Sequence, residues 1–194
     1  METEANAQAS ATFTHTFFGW LKAEARRWVN PDGSEGGIVA IDATVSTAIR
    51  LSVDVVVGPR ASIGDGASIG DGASIGDGAS IGHGASIGPG ASIGPRASIG
   101  PGASIGPRAS IGHGDWHITV GPIGSRNAMT TAVYSKEHGL RWWVGCQHGI
   151  STDALLERIE QHHGDGDHGN DYRAAVAYVQ SHPGLARAAA KQQA

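Results

Sequence analysis

The sequence predicts a mainly β protein built on a parallel β-helix, with an N-terminal capping helix and a small C-terminal α/β element. Three observations carry this. Nine isoleucines, from Ile63 to Ile111, stand six residues apart without a slip. Each follows Ala-Ser and precedes Gly, and a period of six fits neither a helix nor plain strand alternation, but does fit short strands and tight turns in stacked coils. The same phase also runs backwards through Val57, Leu51, Val45 and Val39, with Ala61, Val55, Ile49 and Ala43 as second inward positions. Thirteen hexads therefore share one register, of which the first four are degenerate.

Taken in order, residues 1–12 are polar and Ala-rich and are expected to be disordered. Phe17, Leu21, Ala25 and Trp28 make an apolar stripe at helical spacing, so residues 15–29 are expected to form a helix that covers the lower end of the solenoid. Asn30-Pro31-Asp32-Gly33 is strong turn chemistry that would end it. Residues 1–36 are thus tail and cap, and 37–124 the β-helix.

In each hexad the β-branched Ile suits a strand and fills the interior, while Ala fits a crowded corner. Gly frees the turn backbone, and Pro89, Pro95, Pro101 and Pro107 stiffen it. The period fails after Gly114. Trp116 and His117 stand where Ser and Ile belong, yet Ile123-Gly124 returns to phase, which suggests one last irregular coil.

Residues 125–184 read as a hairpin and two helices. Met129–Ser135 and Leu140–Cys146 are strand-like and joined by a Gly-containing turn. Ser151 can cap a helix with Asp153 in its first turn, and Asn170 or Asp171 opens a second one that stops at His182-Pro183-Gly184. Residues 185–194 are expected to be a flexible tail.

A formal charge of -4 argues against a nucleic-acid partner. The acidic start does not resemble a secretory signal, no apolar run reaches membrane-span length, and a lone Cys146 excludes an intrachain disulfide framework. A soluble, cytoplasmic protein is expected.

The units Ile-Gly-Asp-Gly-Ala-Ser and Ile-Gly-His-Gly-Ala-Ser closely resemble the repeat of the bacterial hexapeptide transferase superfamily. The resemblance implies a left-handed β-helix with three hexads per triangular coil, assembled as a homotrimer. Gly121–Asn127, the hairpin ending in Gly-Cys and the helix ending in His-Gly also look similar to the tails of hexapeptide proteins carried by phages and prophages, which would add the virion as a location.

Many members of the superfamily are acyltransferases, and in some the base is a His in the third place of a hexad, followed by Asp. His83 and His113 hold that third place and are the candidate catalytic residues, because a near-neutral imidazole can take a proton from an attacking hydroxyl or amine. Gly84 and Gly114, not carboxylates, follow them, and the bland reading makes Asp, His and Pro interchangeable turn residues. A zinc site from His83, His113 and His117 fails on spacing, since 30 residues put the first two on different faces. Asp65, Asp71 and Asp77 mark three successive corners and suggest solubility rather than calcium. The His162–Asp171 polar cluster reads as an interhelical loop, and Ser125, Arg126 and Asn127, with Cys146, are candidates to line a binding pocket beneath the hairpin.

No metal and no cofactor is assigned. The expected function is a non-catalytic trimeric scaffold or binding protein, perfect repeats being hard to reconcile with an irregular substrate cleft. The alternative is an acyltransferase working between subunits on acyl-CoA or an acyl carrier thioester.

Overall fold

The structure is a computed structural model that describes residues 11–193, so residues 1–10 of the segment expected to be disordered lie outside the described residues. The segment expected to form a capping helix is instead a hairpin of β1 (Phe13–Phe17) and β2 (Leu21–Val29). Phe18 and Gly19 turn the chain with positive φ of 53° and 78°. The apolar spacing that suggested a helix is mostly four residues, and four is also a multiple of the strand period. Phe17, Leu21 and Ala25 therefore share one face of a strand as readily as of a helix. A bulge between Arg27 and Val29 then swings Trp28 into the core, where it is 2% exposed.

After the Asn30–Gly33 turn, β3 (Glu35–Ala40) pairs antiparallel with β2 and enters the first coil. Two-residue rungs follow: β4 (Thr44–Val45), β5 (Val56–Val57), and β6 to β14, the nine Ser–Ile pairs from Ser62–Ile63 to Ser110–Ile111. Rungs eighteen residues apart pair in parallel, as Ile63 with Ile81 and Ile69 with Ile87, so three hexads make one coil. One face stacks Val39, Val57, Ile75, Ile93 and Ile111. A second stacks Val45, Ile63, Ile81 and Ile99, and a third Ile69, Ile87 and Ile105. The result is a parallel β-solenoid of about four turns, consistent with a left-handed β-helix.

The Ile column and its Ala neighbours make one continuous core, and Ile75, Ala73 and Ala85 are fully buried. Coils are knit by bonds such as Ser68 N–H to Ala85 O and Gly70 N–H to Ile87 O, both 2.8 Å. This closeness explains the Gly after Ile: a Cβ on Gly70 would lie 2.4 Å from the Pro89 nitrogen of the next coil. From the Val57 hexad onward, corner residues in the fourth place take positive φ. Arg60, Arg96 and Arg108 do so at 56°, 57° and 58°, a conformation usually left to Gly. Arg60 has compensation. Its Nε donates to Asp77 Oδ1 at 3.0 Å, its Nη2 also meets that carboxylate, and its backbone N–H reaches Asp42 Oδ1 at 3.2 Å. Asp77 is thus a buried ion-pair partner, not the solvated corner residue expected.

The solenoid ends sooner than expected. Residues 116–123, expected to hold a last coil, form β15 (Trp116–Ile123), the first strand of an antiparallel meander with β16 (Ala128–Ser135), β17 (Gly139–Val144) and β18 (Gln147–Ser151). Three helices follow: α1 (Thr152–His163), α2 (Asp167–Ser181) and α3 (Pro183–Gln193). Ser151 caps α1 by accepting from Ala154 N–H at 3.2 Å. α2 opens three or four residues earlier than expected, and the tail expected to be flexible is α3. No helix among the described residues is long and apolar enough to cross a membrane.

The meander has two working faces. Ala132, Trp142 and Val144 pack on Leu155, Ile159, Val176 and Val179 of the helices. Val133 and Trp143 turn the other way, onto the solenoid core. The sheet therefore closes the upper end of the tube and carries the helical layer on its far side.

Candidate functional site

Two sets of residues are candidates for chemistry: the corner imidazoles of the solenoid and a cavity in the C-terminal element. His83 and His113 are exposed at corners that the hexad phase makes different, after the second and first faces respectively. His83 stands above Asp65 in its column, and its ring reaches over the lower corner, with Cε1 3.7 Å from where a Cβ on Gly66 would lie. Neither imidazole makes a side-chain hydrogen bond or ion pair among the described residues. The Gly that follows each has positive φ, 66° at Gly84 and 79° at Gly114. The structure does not bring His83 and His113 together.

His117 lies on β15 opposite Val133, two residues before Thr119, on the face turned to the solenoid. Its Nδ1 is buried without a hydrogen-bond partner. Burial pulls its pKa below the ordinary imidazole value, against a smaller opposing pull from Asp115. Among the described residues no group of three His, Cys, Asp or Glu side chains could hold a metal ion. The His162–Asp171 cluster divides: His162 and His163 end α1, Gly164 and Gly166 make the turn, and Asp167, His168 and Asp171 belong to α2.

The C-terminal cavity has a volume of about 350 Å³ and lies between the ends of β17 and β18, the 124–127 turn, α1 and α2. Of the candidate binding residues, Ser125 and Arg126 line it, as does Cys146; Asn127 does not. Asn127 closes the turn instead, donating its N–H to Gly124 O at 3.0 Å with φ of 47°. Sequence reasoning missed Arg158 and assigned His162 and His163 to an interhelical loop, whereas all three share the cavity wall. Their spacing along α1 was a usable signal, because residues 155, 158, 159, 162 and 163 fall on one side of a helix.

With the geometry described, comparison with known proteins decides the nature of the tube. Residues 54–89 and 84–114 match the family model described as bacterial transferase hexapeptide (six repeats). The solenoid is a hexapeptide-repeat β-helix. None of the curated proteins searched matches the chain. Such repeats occur in acyltransferases and in scaffolds, so the activity has to be argued from the side chains.

Proposed function

We propose that this hexapeptide-repeat protein is a non-catalytic homotrimeric scaffold or binding protein, in which the solenoid is a rigid stem and the C-terminal element is what it displays. The observation that carries this reading is the unbroken flank of the tube. From Ser62 to Ile111 every rung is the same Ser–Ile pair, with Ser on the outside and Ile within. A catalytic cleft needs an irregular patch with converging groups. His83 and His113 instead stand apart at different corners, and neither side chain makes a hydrogen bond or ion pair among the described residues. Flat Ser-lined faces suit side-by-side packing of subunits, which supports the trimer, with residence in the cytoplasm or, for a phage structural protein, in the virion.

The alternative, an acyltransferase using acyl-CoA or an acyl carrier thioester, draws on both imidazoles being exposed at corners that a neighbouring solenoid could cover. There His83 or His113 would take the proton of the attacking hydroxyl or amine as its oxygen or nitrogen bonds to the thioester carbonyl carbon. The carbon–sulfur bond then breaks and the imidazolium returns the proton to the departing thiolate, leaving an ester or amide and a free thiol. Titration with acetyl-CoA, read by thermal shift, separates the two readings. A scaffold shows no stabilisation and is indifferent to His83→Ala and His113→Ala. Saturable stabilisation abolished by either substitution overturns the scaffold. Sedimentation at micromolar concentration tests the assembly: a monomer refutes the trimer.

A further inference from the structure

The cavity of the C-terminal element combines an apolar floor with a polar wall whose charged side chains are arginines. Val144, Leu155 and Ile159 form the floor, each buried, with the Tyr172 ring beside them. The charged side chains around it are Arg126 and Arg158, with His162 and His163 next to them, and no carboxylate lines the space. This sits in a chain whose formal charge is -4.

The segments that carry the arginines are fixed by packing. Gly124 has φ of 69° and packs so closely on Tyr172 that a Cβ there would lie 2.1 Å from the phenol oxygen. That contact pins the 124–127 turn to α2, and the Arg126 side chain crosses the Gly145 turn, with Cδ 3.7 Å from where a Cβ would stand. Arg158 reaches the cavity from α1, one helical turn before His162. The contrast with Arg173 in the same element is sharp. Arg173 is held by Glu160, Asp165 and the Gly164 carbonyl, at 3.5, 3.2 and 2.8 Å. Arg126 and Arg158 have no hydrogen bond or ion pair among the described residues. Two guanidinium groups left without counter-charge beside a greasy floor form a receptor for an anion with an apolar body. The volume falls at the lower end of the range of small-molecule sites.

We infer that this cavity binds a small organic oxyanion, its carboxylate or phosphate head held by Arg126 and Arg158 and its apolar or aromatic body lying on Val144, Leu155 and Ile159. The inference stands whether or not the solenoid is catalytic, since it uses no residue of the tube.

The test uses the full chain and two fluorescent probes that share a ring system, anilinonaphthalene sulfonate and the uncharged phenylnaphthylamine. The sulfonate should bind saturably at one site per chain. Replacing both arginines (Arg126→Gln with Arg158→Gln) should weaken it by about tenfold or more, on the strength of lost charge-assisted hydrogen bonds, and leave phenylnaphthylamine within about twofold. Ser125→Trp, at an exposed position on the mouth, should weaken both probes. It carries the test if the arginine pair fails to melt cooperatively. Displacement of the sulfonate by benzoate or by phenyl phosphate identifies the preferred head, and displacement by neither overturns the inference. So does equal affinity for the two probes, or an unchanged sulfonate affinity in the folded arginine variant.

Discussion

The two ends of the tube pose one problem and answer it with different chemistry. A stacked coil leaves peptide N–H and C=O groups pointing past its first and last turns, and an uncovered rim also opens the apolar core to water. At the lower end the answer is continuation. β1 and β2 extend the first face of the solenoid within the same sheet, and Trp28 seals the core while donating to Ile49 O at 2.9 Å. Asn30 then serves both backbone groups of Leu51, accepting its N–H at 2.9 Å and donating to its C=O at 3.1 Å. At the upper end a separate sheet lies across the opening. Thr131 accepts from Gly106 N–H at 2.9 Å, Asp115 from Gly112 N–H at 2.7 Å, Thr119 donates to Ser104 O, and Trp143 to Arg108 O at 2.9 Å. One end is an extension of the repeat by strand pairing, the other a lid attached through side chains. The lower closure adds one indole and one amide to strand pairing, and the upper rests on two hydroxyls, one carboxylate and one indole.

The comparison breaks most sharply at Asn30. Asn30→Asp removes the amide donor and puts a buried carboxylate against the Leu51 carbonyl, which should cost about 3–5 kcal/mol at neutral pH by chemical denaturation. The new carboxyl has a raised folded-state pKa, so its neutral form, with an O–H to donate, dominates in acid. Stability should be near that of the parent below about pH 4 and fall as pH rises through the folded value. Next comes the body between the ends. Gly70→Ala drives a Cβ into the following coil and should cost about 1–3 kcal/mol. Gly100→Ala, with nothing within 4 Å among the described residues because no coil lies above that position, should stay within about 0.5 kcal/mol. At the lid, Thr131→Val leaves the Gly106 N–H without its acceptor and should cost about 1–2 kcal/mol, while Thr131→Ser should restore most of it.

The smallest effect is the pH response of the lid. Burial lowers the His117 pKa, so the unfolded chain binds more protons than the folded one between the folded value and about 6.5. Stability conferred by the neutral ring is complete above that upper bound and declines as pH falls through the window. His117→Gln should flatten the slope of melting temperature against pH there.

How much of this was legible follows from the same contrast. The body was legible because a single strict period allows a single set of inward residues, and every Ile from 63 to 111 points inward as its phase requires. The lower cap was misread because four-residue spacing satisfies both helix and strand, and the decisive signal was Gly19 after Phe18, which lets the chain reverse. The lid was half legible. Alternating Thr, Val and Trp marked β16 and β17, but β15 was hidden by Ile123-Gly124, which matches the hexad phase by coincidence. The cavity was legible at the turn and the hairpin, at Ser125, Arg126 and Cys146. Its α1 wall needed the register of that helix against the meander, which is set by Trp142 and Val144 meeting Leu155 and Ile159, a contact between distant segments that local pattern does not encode.

The central claim is that the tube is an exchangeable stem between two caps. Removing one whole coil, residues 79–96, joins Gly78 to Ala97 in register and deletes His83. The account predicts a protein shorter by about 4.8 Å in the stem, with a single cooperative melt and the same assembly state as the parent by sedimentation. A chain that fails to fold, or that folds but sediments in a different assembly state from the parent, would contradict it.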